Sequence, residues 1–564
     1  MKWFKKLIFL YLFFVIVKIF LVYMIPAPSE FNDGYIYAKM ARSFFNSFEF
    51  SVHGIPARLY PPLYPAILSI SYIFKDMHIV YFTMKIINSI LSSLIIFPAW
   101  LIAREFVSRR KAFIAATLVS IIPSNFSFAP FIMAENLFYP LFLFTVYFAY
   151  KYLKKNSHLY AALSGFFLGL TYLTKTTTIV LVISIFLLSL YKIANKDICI
   201  NKFLIFCSAA LAIIIPWTII KGLIFGFTPI GIFGVYVTEA AKFTLSNFWS
   251  NFAIWIILYS GFIILASGII FFVSSALLLK NKQTKTIFLI FLLSTITIIL
   301  MGANHNVEES TINSQYITGR PVGRYIDTTL SLLFILGFIG LDMYIRNKEK
   351  LHKYFKKVAM ATIPIVAFSS LLVMFPLFPV NNMSLTWLGL SNFILDILIN
   401  NKVDFNPAFS LINIIIIAAI LTSIILVFSY NLLKVNLQKV IAFFILFFIL
   451  VNASNYAIAY YNSNTYWYKG EQMQLGIWFN DFDKDRISNI LIDKRDCGTQ
   501  IDKLSQYSLC HYPIFTIIGF WLNDEIKIQV PDNLEGFDYI ISRHNLPLEI
   551  IRETESGIKI YKTK

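Results

Sequence analysis

The chain has 564 residues, of which 58 % are hydrophobic and only 14 % charged, and its mean hydropathy is +0.70. Soluble domains carry roughly 25 % charged residues, so this balance excludes a soluble globular protein and places the chain among polytopic membrane proteins. The formal net charge of +18 would suit a nucleic-acid partner if it were gathered on one face, but Lys and Arg fall in short runs between apolar stretches, which excludes nucleic acid and points to membrane topology.

The first apolar stretch, 7–25, follows MKWFKK and shows no small-residue cleavage site before Asp33, so an uncleaved anchor with a cytoplasmic N-terminus is expected. Lys18 lies inside it. A charge at bilayer depth costs about 2.5 to 3.5 kcal/mol, and Lys18 is close enough to the outer end for its ammonium to snorkel to the interface.

The next segment, EFNDGYIYAKMARSFFNSFEFSVHGIPARLYPPLYP, carries Asp33 and then an amphipathic run over 35–48 in which Lys39 and Arg42 stand among aromatics. Such a run is expected to lie among lipid headgroups, holding polar chemistry at the membrane surface. Asp33 has two readings on residues alone: the base of a reaction, or the N-cap of the helix that follows.

Further apolar stretches of crossing length occupy 79–103, 112–130, 136–152, 159–174, 176–191, 203–225, 252–279, 287–302, 325–344, 358–378, 411–430 and 440–460. With the first stretch they make about thirteen helices, an odd number that puts the C-terminus outside a cytoplasmic N-terminus. The positive-inside rule agrees. Lys and Arg gather at 104–111, 151–155, 192–196, 280–285 and 346–357, all loops assigned to the cytoplasm, while the long loops 26–78, 226–251, 303–324 and 379–409 face outside. Long loops on one face are where binding and chemistry concentrate.

The last part, 461–564, turns polar, with alternating runs such as ISNILID, FDYIISR and GIKIYKTK that read as strands of a small external α/β domain. The expected division is therefore a membrane domain over 1–460 and an extracytoplasmic domain over 461–564. Cys497 and Cys510 lie in this tail. They either close a disulfide loop of about 14 residues, contributing about 3 kcal/mol, or remain two free thiols.

The sequence contains no P-loop, no dinucleotide-type glycine fingerprint, no HExxH and no paired CxxC, which removes ATP-driven transport, nicotinamide redox chemistry and zinc proteolysis. Polar residues instead collect at external helix ends. They are Glu135 in PFIMAENLFYPLF, Lys175 in GLTYLTKTTT, Lys221 in IIIPWTIIKG, and Arg320 and Arg324 in YITGRPVGRYID. Each alone could be an interfacial anchor or a helix-terminal charge.

Their order carries a resemblance. An acid just after the first span, a PPLYP segment before the second, then MAENLFYP, GLTYLTK, PW and GRYI turns and an external α/β tail resemble the GT-C superfamily of polyprenyl-phosphate-sugar glycosyltransferases. The branch containing the protein O-mannosyltransferases and the lipid A 4-amino-4-deoxy-L-arabinose transferase is the most similar. The resemblance implies a lipid-linked sugar donor (dolichyl or undecaprenyl phosphate), a lipid, glycan or protein acceptor, inverting transfer on the outer face of the plasma membrane, Asp33 as general base, Glu135 as a second catalytic residue, and Arg58, Lys175, Arg320 and Arg324 on the donor phosphate. A divalent cation on Asp33 and Glu135 is left open. Two departures stand out: Gly34 follows Asp33 where the family usually places a second acid, and Tyr60 stands before the paired prolines where it often places a cation. The WWDYG signature of oligosaccharyltransferases is missing, which argues against en bloc transfer to asparagine. A different membrane glycan polymerase or ligase, or a secondary transporter, are the other classes; the paired broken helices of a transporter are not evident in the sequence.

Overall fold

The computed structural model describes the chain apart from residues 1, 29–31, 53–54, 58–59, 156, 229–241, 244–246, 308–311, 314–315, 318–322, 374–436, 465–467, 484–487, 498–518, 523–524, 533 and 564. Eight helical stretches among the described residues are long and apolar enough to cross a membrane: Lys2–Tyr23, Met77–Ala103, Thr176–Ala194, Ile200–Phe225, Phe248–Ala266, Lys282–Asn306, Gly323–Arg346 and Leu437–Tyr461. The other expected spans appear as Arg109–Ser120 with a short turn at Pro123–Phe126, as Glu135–Lys155, as His158–Tyr172 and as Lys348–Val373. The stretch 411–430 lies outside the described residues.

By packing, the chain forms two units. The first comprises Met1–Val15, Leu91–Phe128 and Glu135–Asn455. Its most enclosed span is Gly323–Arg346, 89 % buried over its apolar window, and Asn125 Nδ2 donates to Ser331 Oγ on that helix at 2.9 Å. Apolar surface supplies no net attraction between helices in lipid, so close approach of backbones matters more. His158–Tyr172 shows this. Gly165 and Gly169 lie one turn apart on it, and a Cβ at either would collide with Phe206, Ala209 or Ile213 of the helix Ile200–Phe225. Ion pairs link helix ends within this unit. Lys111 and Arg346 both pair with Asp342, each at 2.5 Å, and Lys151 pairs with Glu105 at 2.5 Å.

The second unit comprises Ile16–Ile90, Ala129–Ala134 and Tyr456–Lys564. It contains a helix at Asn32–Ser47, a two-residue hairpin pairing Ser51–Val52 with Ile55–Pro56, the turns Leu63–Leu68 and Ser69–Ile73, and the tail. The tail sheet has five strands in the order Glu525–Gln529, Asn489–Asp493, Tyr539–Ser542, Lys559–Lys562, Glu549–Glu553, the first three parallel and the last two antiparallel to their neighbours. Helix Glu471–Phe482 covers one face through Leu475 and Phe479, which join Ile490, Ile492, Ile541 and Ile560 in a core. Asp493 ends its strand fully buried, taking hydrogen bonds from Arg495 Nη2 at 2.6 Å and Ser542 Oγ at 2.7 Å. Burial pushes its carboxyl up, but those bonds outweigh burial and hold it below the usual carboxylate range.

The expected division at 460 is a change of composition, whereas in packing the tail and the first loop form one unit. Lys39 Nζ donates to Leu522 O at 2.5 Å, Ser463 Oγ donates to Ala27 O at 3.0 Å and accepts from Ala27 N at 2.9 Å, and the buried Trp521 lies 4.6 Å from the His78 ring. This corrects the headgroup reading of 35–48. Lys39 and Arg42 are 2 % and 4 % exposed, and Lys39 is met by the tail carbonyls of Phe520 and Leu522. Lys18 does not snorkel either. It is 1 % exposed in the first helix, and the carbonyls of Val22 and Ile25, near and just beyond that helix's end at Tyr23, accept from Lys85 Nζ at 2.8 and 2.5 Å.

Candidate active site

Asp33 lies in the first turn of the helix Asn32–Ser47, which starts one residue before it. The helix dipole favours a negative charge there whatever else the carboxylate does. Its Oδ1 accepts a hydrogen bond from Tyr60 Oη at 2.8 Å. The Tyr60 ring stands edge-on to Tyr37 at 5.2 Å, and Tyr37 edge-on to Tyr64 at 5.1 Å. Tyr64 Oη donates to Asn88 Oδ1 at 2.8 Å, and Asn88 Nδ2 donates to Phe131 O, also at 2.8 Å. The departure at position 34 has a steric reason. A Cβ on Gly34 would sit 3.3 Å from Ile132 O, closer than side chains ordinarily stand, so a second acid there would have to push the 129–134 segment away.

In the first unit, Glu135 opens the helix Glu135–Lys155 and is 2 % exposed. It forms an ion pair with Lys175, which occupies the turn before the 3₁₀ segment Thr176–Thr178. Lys175 Nζ also lies 5.8 Å from the Phe138 ring and 6.0 Å from the Tyr325 ring, within reach of a cation–π attraction. Arg324 is the second residue of Gly323–Arg346, and its backbone carbonyl accepts from Tyr139 Oη at 3.4 Å. Three residues on, Asp327 is 1 % exposed, within electrostatic reach of Glu135 and Lys175, and neither carboxylate oxygen has a hydrogen-bond partner among the described residues.

Of the residues singled out in sequence, the structure thus brings Glu135 and Lys175 into direct contact and places Asp33 in the other unit. Arg58, Arg320 and Cys510 lie outside the described residues, and so does the side chain of Cys497. Asp327 and Tyr60's role on Asp33 were missed. Asp327 had a signal, an acid inside the apolar stretch 325–344, which is a functional mark by default. Tyr60 had none, since nothing local in sequence ties it to a residue 27 positions earlier. Glu135 is already met by the Lys175 ammonium, and the described residues contain no group of three or more His, Cys, Asp or Glu able to hold a metal.

Comparison with known proteins agrees with this architecture. Residues 60–220 match the family model described as dolichyl-phosphate-mannose-protein mannosyltransferase, a stretch that holds the PPLYP, MAENLFYP, GLTYLTK and PW segments but neither Asp33 nor Arg324. The structure of ArnT from Cupriavidus metallidurans bound to undecaprenyl phosphate superposes with a TM-score of 0.60 at 12 % identity, over 98 % of this chain and 97 % of that one. The apo structure of ArnT from the same organism gives 0.52 at 13 % identity, over 99 % and 97 %. No curated protein sequence matches the chain. At such identities the likeness shows the fold. The resemblance to the GT-C superfamily is borne out in fold, and the chain is an integral membrane protein with a GT-C-like fold and a small sheet at its C-terminal end.

Proposed function

We propose that this protein transfers a sugar from a polyprenyl-phosphate donor to an acceptor hydroxyl at the outer face of the membrane, with Asp33 as general base. The observation that carries the reading is the carboxylate of Asp33, soon after the first apolar helix, held by the Tyr60 hydroxyl in a chain that shares its fold with a protein crystallised with undecaprenyl phosphate. Asp33 takes the acceptor's proton as that oxygen attacks the anomeric carbon; the bond from the anomeric carbon to the phosphate oxygen breaks; the lipid phosphate leaves with the electron pair. Displacement in one step inverts the anomeric centre. The leaving group departs as an anion, so charge stabilisation replaces a general acid. Arginine suits that task because its planar fork stays protonated and binds two phosphate oxygens.

Arg324 fits this role, at the positive N-terminal end of a 24-residue helix. Lys175 and the loop cations Arg58 and Arg320 complete the proposed set. Glu135 holds Lys175 in place. Substitution of Arg324 by Ala should raise the donor KM and lower turnover by about one to two orders of magnitude, the worth of a charge-assisted hydrogen bond of roughly 1.5 to 3 kcal/mol. Arg324→Lys, which keeps the charge but not the fork, should fall between. Steady-state kinetics with varied donor decide this. Unchanged donor kinetics in Arg324→Ala would move the phosphate site to other cations.

The reading also fixes sides. A cysteine placed at the exposed Glu555 in the tail should react with a membrane-impermeant maleimide on intact cells, and one at the exposed Asn347 should react only after permeabilisation. The opposite labelling pattern would invert the topology.

A further inference from the structure

We infer that Tyr60 is a positioning residue for the reaction, a neutral donor that sets the direction of the Asp33 carboxylate; this rests on the reading of Asp33 as the base. Tyr60 occupies the position immediately before the paired prolines Pro61 and Pro62, where a cation was expected from the sequence resemblance. A cation beside Asp33 would pair with it and oppose uptake of a proton. A phenol orients the carboxylate without cancelling its charge.

The support behind the phenol is continuous and runs inward. Tyr60 Oη donates to Asp33 Oδ1 at 2.8 Å, and its ring is fixed edge-on against Tyr37 with an interplanar angle of 89°. Tyr37 is itself edge-on to Tyr64 at 90°. Tyr64 and Asn88 are both fully buried, hydrogen-bonded to each other, and Asn88 grips the backbone of the 129–131 segment through Phe131 O at 2.8 Å and Ala129 O at 3.4 Å. Edge-to-face rings resist rotation, so a half-buried tyrosine at the end of this stack is held far more firmly than a loop residue on its own. A base oriented by a third, anchored group is the usual arrangement where a proton must leave in one direction. The described geometry supplies that third group. The same hydrogen bond also sets a carboxylate rotation that would otherwise be lost in the helix's first turn, and misdirection of a reacting group by about 1 Å is costly in rate.

The test is Tyr60→Phe in the full-length protein, which keeps the ring and its edge-on contact and removes only the hydroxyl. Single-turnover transfer at saturating polyprenyl-phosphate sugar should slow by about tenfold, the weight of one hydrogen bond to a charged group, with the donor KM within about twofold of wild type and the melting temperature unchanged. A wild-type single-turnover rate would overturn the inference, as would a raised KM with an unchanged rate, which would make Tyr60 a donor ligand. A loss of rate accompanied by a lowered melting temperature would also overturn it, reducing the hydroxyl to a structural bond. Asp33→Asn, measured in parallel, separates the two levels. If Asp33→Asn is inactive while Tyr60→Phe is normal, only the positioning role falls; if Asp33→Asn is fully active, the base reading falls and takes this inference with it.

Discussion

Asp33→Asn should leave the protein folded and cut transfer by about 10²- to 10⁴-fold, the usual weight of a general base. The substitution is isosteric, and the amide oxygen can still accept from Tyr60 Oη. Its structural cost is the loss of a negative charge in the first turn of Asn32–Ser47, about 0.3 to 1 kcal/mol. Capping is little affected, because the helix already starts at Asn32 and Asn serves a helix N-terminus as well as Asp does. Structure and catalysis therefore give opposite outcomes at one residue. A folded protein with no transfer supports the base; full activity returns Asp33 to a structural role.

Lys175→Ala should be the most destabilising single change at the candidate site. It strips the partner from Glu135, which is 2 % exposed and has no route to solvent for its charge. Breaking a buried pair from one side costs about 3 to 5 kcal/mol, because the remaining charge stays desolvated. Glu135→Gln should destabilise for the converse reason. Combining Glu135→Gln with Lys175→Met removes both charges and should recover most of the thermal stability of detergent-solubilised protein, while transfer stays low because the phosphate has lost a cation. A Lys175→Ala protein that melts like wild type would show that the pair holds nothing together. A double variant that regains both stability and transfer would remove Lys175 from the donor site.

How far the sequence reaches depends on the range of the forces involved. Span positions were legible because hydropathy is local: 7–25, 176–191, 203–225 and 325–344 fall within observed helices or overrun them by a residue or two. The strands of the tail were legible from alternation, as in ISNILID, which contains Asn489–Asp493. Glu135 and Lys175 were each visible as polar residues at external helix ends. Their pairing was not, since 40 positions separate them and nothing local encodes it. The same limit hid the packing of the first loop with the tail. Lys39 meets carbonyls 481 and 483 positions away, so its amphipathic helix read as a membrane-surface element when the apolar and aromatic surroundings are in fact supplied by the protein. Lys18 was misjudged for a related reason. A charge in an apolar stretch reaches for the interface only if no protein packs over it, and here the protein does. Asp327 was legible in principle, as the last residue of GRYID and one turn into its helix, but an acid near a helix end also reads as an interfacial residue.

The most direct test of the account is incubation of the purified protein, wild type and Asp33→Asn side by side, with a panel of radiolabelled sugars linked to dolichyl and undecaprenyl phosphate, scoring label released from the lipid and the anomeric configuration of the product. The account predicts that wild type draws label from at least one donor with inversion and that Asp33→Asn does not. Release from none of the donors, or equal release by both proteins, would contradict it.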